Sequence, residues 1–211
     1  MSDGIETTLR PRSAWAGIAP VGRHGRPGGE PGLTLTLREE IGLATLIAVK
    51  GRTDALRQVL HERFGWSLPD TGTTSLTGER GLVWCGPDQW LALFETRREM
   101  AGLVQALQGL AAVTDQSDAR AIVRVSGPDA RAFLAKGLAI DLHPRAFQPG
   151  QVAVTALAHM GAQVWQRDAS PAYDLAVARS FAGSVWSWLS HAADEFGYDV
   201  RNAEPVAQPR G

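Results

Sequence analysis

The sequence repeats itself, and that repetition limits the fold more than any other feature. Val49-Lys50-Gly51, ahead of one helical stretch, matches Val125-Ser126-Gly127 ahead of another, and Asp54-Ala55 answers Asp129-Ala130 with one residue of slippage. Val83-Trp84 matches Val164-Trp165. Fourteen residues beyond each Trp, Arg98-x-x-Ala101-Gly102-x-Val104 stands against Arg179-x-x-Ala182-Gly183-x-Val185. The period is far longer than that of a solenoid. It specifies a β-α-β-β-α module used twice, hence an α+β fold with two antiparallel sheets, each covered by helices.

Local patterns fill in the module. Thr34 to Leu37 alternates as a short strand, and Leu43 to Val49 is an apolar run suited to a buried one. Thr53 to Phe64 is helical, with Leu56, Val59, Leu60 and Phe64 on one face. Residues 67–80 read as a polar loop. Gly81–Cys85 and Trp90–Glu95 form a hairpin around Gly86-Pro87-Asp88-Gln89. Thr96 and Glu99 make a capping box that starts a helix running toward Leu110. Further strands follow at 122–125, 152–158, 162–166 and 173–177. A helix opens at Pro128 and another spans about 180–196. The chain divides into a flexible Gly/Pro-rich arm (1–33), a first lobe (34–112), a second lobe (113–198) and a polar, disordered tail (199–211).

Chemistry is hard to find. The net charge of -1 and the lack of a basic stripe argue against nucleic acid. His24, His61, His143, His159 and His191 are too scattered for a helical metal pair, and Cys85, the sole cysteine, reads as a small buried hydrophobe. No nucleophile elbow, phosphate loop or dinucleotide fingerprint is present. Asp115-Gln116-Ser117-Asp118 reads as a turn with local side-chain bonds, while Asp168 and Asp174 read as solvated flanks of a hairpin loop. The polar start, the single cysteine and the absence of a long apolar run lead to the expectation of a cytoplasmic protein. No catalytic, cofactor-binding or metal residue is assigned, which leaves contact with partners as the source of function. Trp is enriched at interfaces. Trp15, isolated in the arm, and Trp186, off the apolar stripe of the last helix, are the candidate partner contacts.

The segment Thr114 to Leu134 resembles the Asp-x-Ser, strand, Gly-x-Asp-Ala, helix pattern of the aminomethyltransferase superfamily, which includes the glycine-cleavage T-protein. Three narrower stretches are similar to the gamma-subunit family of heterotetrameric sarcosine oxidases: Ala139 to Gly150, Gly86-Pro87-Asp88-Gln89-Trp90-Leu91, and Trp165-Gln166-Arg167-Asp168. The likeness spans roughly residues 35–198. It implies a T-protein-like folate-binding-domain fold and a non-catalytic structural role beside alpha, beta and delta subunits, alpha above all. Those partners would hold FAD, FMN, NAD, tetrahydrofolate and zinc. The complex would oxidise sarcosine to glycine, forming hydrogen peroxide and passing the methyl carbon to tetrahydrofolate. Folate-using members carry a carboxylate pair on a strand after a Gly-rich turn; the corresponding Met160-Gly161-Ala162-Gln163-Val164-Trp165 has none. The alternative is a stand-alone folate-binding protein of the aminomethyltransferase type.

Overall fold

The computed structural model describes residues 12–39 and 41–203. Twelve strands among them form two sheets. The five-stranded sheet collects β3 (Gly42–Ala48), β4 (Thr74–Thr77), β5 (Arg80–Gly86), β6 (Gln89–Phe94) and β7 (Ala111–Asp115), in the order β4-β5-β6-β3-β7. The seven-stranded sheet collects β1 (Gly22–His24), β2 (Leu33–Arg38), β8 (Arg120–Ser126), β9 (Val152–Leu157), β10 (Met160–Asp168), β11 (Ala172–Ala178) and β12 (Tyr198–Asn202), in the order β9-β10-β11-β8-β2-β12-β1. The helices are α1 (Thr53–Phe64), α2 (Ala101–Ala106), α3 (Ala130–Ala135) and α4 (Ala182–Ala193), with 3₁₀ turns at Arg97–Met100 and Arg179–Phe181.

Strand order bears out the duplication. Both units follow the same path, strand, helix, three-strand meander, helix, strand: β3-α1-β4-β5-β6-α2-β7 and β8-α3-β9-β10-β11-α4-β12. Within the first sheet β7 lies antiparallel beside β3. In the second, β12 occupies the same side of β8, but β2 has been inserted between them, antiparallel to β8 and parallel to β12. The two units meet through equivalent residues. Thr73 bridges Gln151, Thr74 N–H donates to Gly150 C=O (2.8 Å), and Val152 N–H donates to Gly72 C=O (2.9 Å). This reciprocal pair is a local dyad between the copies.

The layers follow from side-chain alternation. In β2 the leucines at 33, 35 and 37 are buried and Thr34, Thr36 and Arg38 half-buried. α1 buries Leu56 and Leu60, four residues apart, against Ala44, Leu46 and Trp90 of the first sheet. It ends at Gly65, whose left-handed φ of 66° lets its own N–H reach His61 C=O and the N–H of Trp66 reach Leu60 C=O. α3 and α4 cover the second sheet with Phe133, Val185 and Leu189 against Leu35, Val123 and Leu175. The other faces of the sheets pack on each other through Leu43, Val83, Leu91, Ile122, Trp165 and Ala176. The result is helix, sheet, sheet, helix, with three apolar layers between them.

Several boundaries differ from the sequence expectation. The polar loop at 67–80 contains β4, whose threonines gain a ladder partner in β5. The tail expected to be disordered from 199 continues as β12 to Asn202; residues 204–211 lie outside the described residues. The arm is not loose over its described part: β1 pairs with β12, while residues 1–11 lie outside the described residues. The helix after Thr96 is a 3₁₀ turn plus a short α2, and Thr96 Oγ donates to the Glu99 carboxylate (3.3 Å) instead of capping a backbone N–H. The chain straightens into β7 at Ala111, so the expected lobe boundary at 112/113 falls inside a strand. β2, expected in the first lobe, belongs to the sheet of the second.

Candidate functional site

Alternation along β8, β10 and β11 sends every second side chain toward the facing sheet. Near one end that inward face carries charge. Arg124 of β8 is bidentate to Asp174 of β11, with Nε–Oδ1 at 2.7 Å and Nη2–Oδ2 at 2.9 Å. The same guanidinium reaches Glu79 through Nη1 and Nη2, at 2.9 and 2.8 Å. Glu79 sits in the turn between β4 and β5, so the first unit pushes one carboxylate into the sheet of the second. Arg38 of β2 also donates to Glu79, and Arg167 of β10 stands 3.6 Å from Glu79 and 3.8 Å from Asp174. Three arginines thus share two carboxylates. Burial alone would push the Glu79 carboxyl up; the Arg124 hydrogen bonds and the charge of Arg38 outweigh it and hold the group at about 2. Burial also works against the Arg124 charge, but bonds to Asp174 and Glu79 prevail and raise its affinity for the proton.

This arrangement corrects the reading of Asp174 as a solvated loop residue: it is 1% exposed and lies within β11. Each of the two carboxylates is paired with arginine on more than one side. Two signals in the sequence mark the cluster: an Arg inside the apolar run Ile122–Val125 and an Asp inside the run Tyr173–Val177. Charges at strand positions that face another sheet need partners of opposite sign.

The other candidate residues resolve into structural roles. Asp115 accepts the N–H of Ser117 (2.8 Å), and Ser117 Oγ accepts the N–H of Leu43 (3.0 Å), so this motif pins β3 to the next turn. Asp118 is bidentate to Arg97, both contacts 2.7 Å, and those hydrogen bonds lower its carboxyl. Burial pushes the Cys85 thiol up, away from nucleophilic use. In the Met160–Trp165 stretch, Gln163 donates to Trp84 C=O (2.8 Å) and ties the sheets together. No group of three or more metal-ligating side chains occurs among the described residues.

Trp15 and Trp186, expected to meet partners, lie inside this chain. Trp15 is 2% exposed and Trp186 8%. Their rings meet edge to face at 6.4 Å, and Trp15 Nε1–H donates to Ile122 C=O (3.1 Å). The segment before β1 folds back over α4 and covers the face of that helix that the apolar periodicity left open.

A groove of about 400 Å³ opens where the units meet. Its walls are Thr71 and Gly72 from the first unit, and Ile140, Phe147, Val152 and Ala153 from the second. The loop that builds it is held from several directions. Asp141 accepts the N–H of His143 (2.8 Å), and His143 Nδ1 accepts the N–H of Arg145 (3.2 Å). Arg131 donates to Leu142 C=O and lies over the Tyr173 ring, which stacks with Phe147 at 6.5 Å. The run Asp141–Phe147 is therefore a shaped loop whose aromatic end is a wall of the groove.

The family model described as "Sarcosine oxidase, gamma subunit family" matches residues 50–195. The chain belongs to this family. It is 33% identical over 208 residues to the sarcosine oxidase subunit gamma of Corynebacterium sp. (strain P-1), covering 96% of this chain and 97% of that one. Identity to the Arthrobacter sp. sarcosine oxidase subunit gamma is 32%, with 91% and 94% covered. Among solved structures it matches a chain of the heterotetrameric sarcosine oxidase from Corynebacterium sp. U-96, at 28% identity and a TM-score of 0.76, covering 88% of this chain and 96% of that chain. The glycine cleavage system aminomethyltransferase T from Bartonella henselae shares the fold at 13% identity and a TM-score of 0.58; 56% of its chain is covered. The stretch Asp141–Gly150, on which the resemblance to this family is read, is the loop beside the groove, and Thr114–Leu134 forms the turn, β8 and α3.

Proposed function

We propose that the chain is a non-catalytic structural subunit of a cytoplasmic heterotetrameric sarcosine oxidase, packing beside alpha, beta and delta subunits and chiefly against alpha. One observation carries this reading: nearly the whole chain superposes on nearly the whole of one chain from a heterotetramer of that kind. Internal chemistry supports it. The buried carboxylates are held by arginine, burial pushes the cysteine thiol up, and Trp15, Trp66, Trp90, Trp165 and Trp186 are buried within the chain. What the chain offers a complex is shape. FAD, FMN, NAD, tetrahydrofolate and zinc then belong to the companions, which oxidise sarcosine to glycine, reduce oxygen to hydrogen peroxide and hand the methyl carbon to tetrahydrofolate. Affinity capture of the tagged chain from its own cells tests the assignment. The expected result is recovery of three companion chains with bound flavin and sarcosine-dependent peroxide formation. Turnover of sarcosine by the purified chain alone, or calorimetric binding of tetrahydrofolate to it, would overturn the non-catalytic role.

A further inference from the structure

β9 is the outermost strand of the seven-stranded sheet, and its free edge is occupied at both ends but not in the middle. At one end Val152 N–H is taken by Gly72 C=O. At the other, Ala156 C=O accepts Ala139 N–H (3.2 Å), Ala158 N–H donates to Gly137 C=O (3.0 Å), and Leu138 bridges Leu157. Both flanking stubs run antiparallel to β9, as two pieces of one interrupted strand. The first leaves the edge at Ile140; the second joins it at Thr71. Between them the edge of Ala153–Thr155 has no strand neighbour among the described residues, and the groove, lined by Ile140, Phe147, Val152 and Ala153, opens at the Val152–Ala153 end of that gap.

Hydrogen-bond parity gives the gap its polarity. In an antiparallel ladder, alternate residues turn both backbone groups toward the same neighbour. Val152 and Ala156 bond outward, so Val154, in register between them and opposite Gln163 of β10, turns its N–H and C=O outward too. Those two groups have no partner among the described residues, and the Val154 side chain is 56% exposed. One donor and one acceptor stand side by side, flanked by an apolar wall of Ile140, Phe147 and Ala153.

We infer that this gap receives a short extended segment of a companion subunit, about three residues long, which pairs with Val154 through its backbone and places an apolar side chain against Ile140 and Phe147. The inference rests on the subunit reading above. A backbone donor and acceptor at strand spacing are the complement of another extended backbone, the mode by which a strand is added to a sheet edge. A second copy of this chain does not fit. Pairing β9 with β9 would bring four flanking stubs into the same space, because only three residues of each edge are free.

Proline supplies a clean test, since it removes an N–H and is tolerated on a strand edge where that N–H bonds nothing within the chain. Val154→Pro deletes no internal hydrogen bond, whereas Thr155→Pro, one residue on, deletes a bond to β10 and serves as the destabilised control. In co-expressed complexes, Val154→Pro is expected to weaken retention of this chain about tenfold while leaving its unfolding midpoint in isolation unchanged. In the wild-type protein, exchange of the Val154 amide with solvent should slow at least tenfold on assembly. Unchanged retention of Val154→Pro with an equally fast Val154 amide in the complex overturns the inference. So does self-association of the purified chain that Val154→Pro abolishes, which would make a second copy the occupant. Failure of the wild-type chain to assemble at all would instead remove the subunit reading.

Discussion

Glu79 is a single side chain from one repeat set among three arginines of the other repeat's sheet. Glu79→Gln keeps the shape but leaves Arg38, Arg124 and Arg167 facing Asp174 alone. Breaking such a partly buried network costs roughly 3 kcal/mol, to be read as a lowered urea midpoint. The acid limb follows from the same residue. Its folded carboxyl is held at about 2, below the ordinary value of 4.5. The stabilisation is therefore complete above pH 4.5 and is lost as pH falls from there through about 2. Glu79→Gln should flatten that limb of the stability profile; an unaltered limb would show that other carboxylates control it. The residue types of this cluster stand in the sequence, but their meeting does not, because Glu79 lies 45 residues from Arg124 and in a turn.

At the level of elements, long periodic segments were legible and short ones were not. α1, β2, β3, β8 and the β5–β6 hairpin fall where alternation and helical spacing place them, since each carries its own apolar pattern. β1, β4 and most of β12 read as arm, loop and tail, and the residues of β7 carry no pattern that assigns them an element. They are three to five residues long, and neighbouring strands hold them more than their own composition does. The same limit hid the role of Trp15: nothing local says that an indole amid Gly and Pro will sit under α4. Trp15→Ala removes a large buried ring and its bond to Ile122, at a cost of about 3–5 kcal/mol. Limited trypsin digestion should then cut after Arg23 before the rest of the fold is attacked. Equal resistance in the variant would mean that β1 anchors this segment alone.

For the molecule as a whole, the duplication and the fold class could be read from repeated words in the sequence, but the division into lobes could not. The units share a sheet-to-sheet layer, the Gly72–Thr74 and Gly150–Val152 pair, and the Glu79 cluster, and so have few independent parts. Urea unfolding followed by Trp fluorescence and by far-ultraviolet circular dichroism should therefore give coincident curves; two separated transitions would show repeats that melt singly. The groove could not be read from the sequence, where Asp141–Gly150 stood out only as a family resemblance, because it depends on where distant strands stop. The position of β2 has a further bearing, on synthesis. Residues 33–38 lie between residues 120–126 and 198–202, so an early-made strand has neither neighbour until much or all of the polypeptide has left the ribosome. Closure of that sheet is a late, long-range event, and a nascent chain stalled before residue 198 would leave one flank of this strand bare and prone to pair with the wrong molecule.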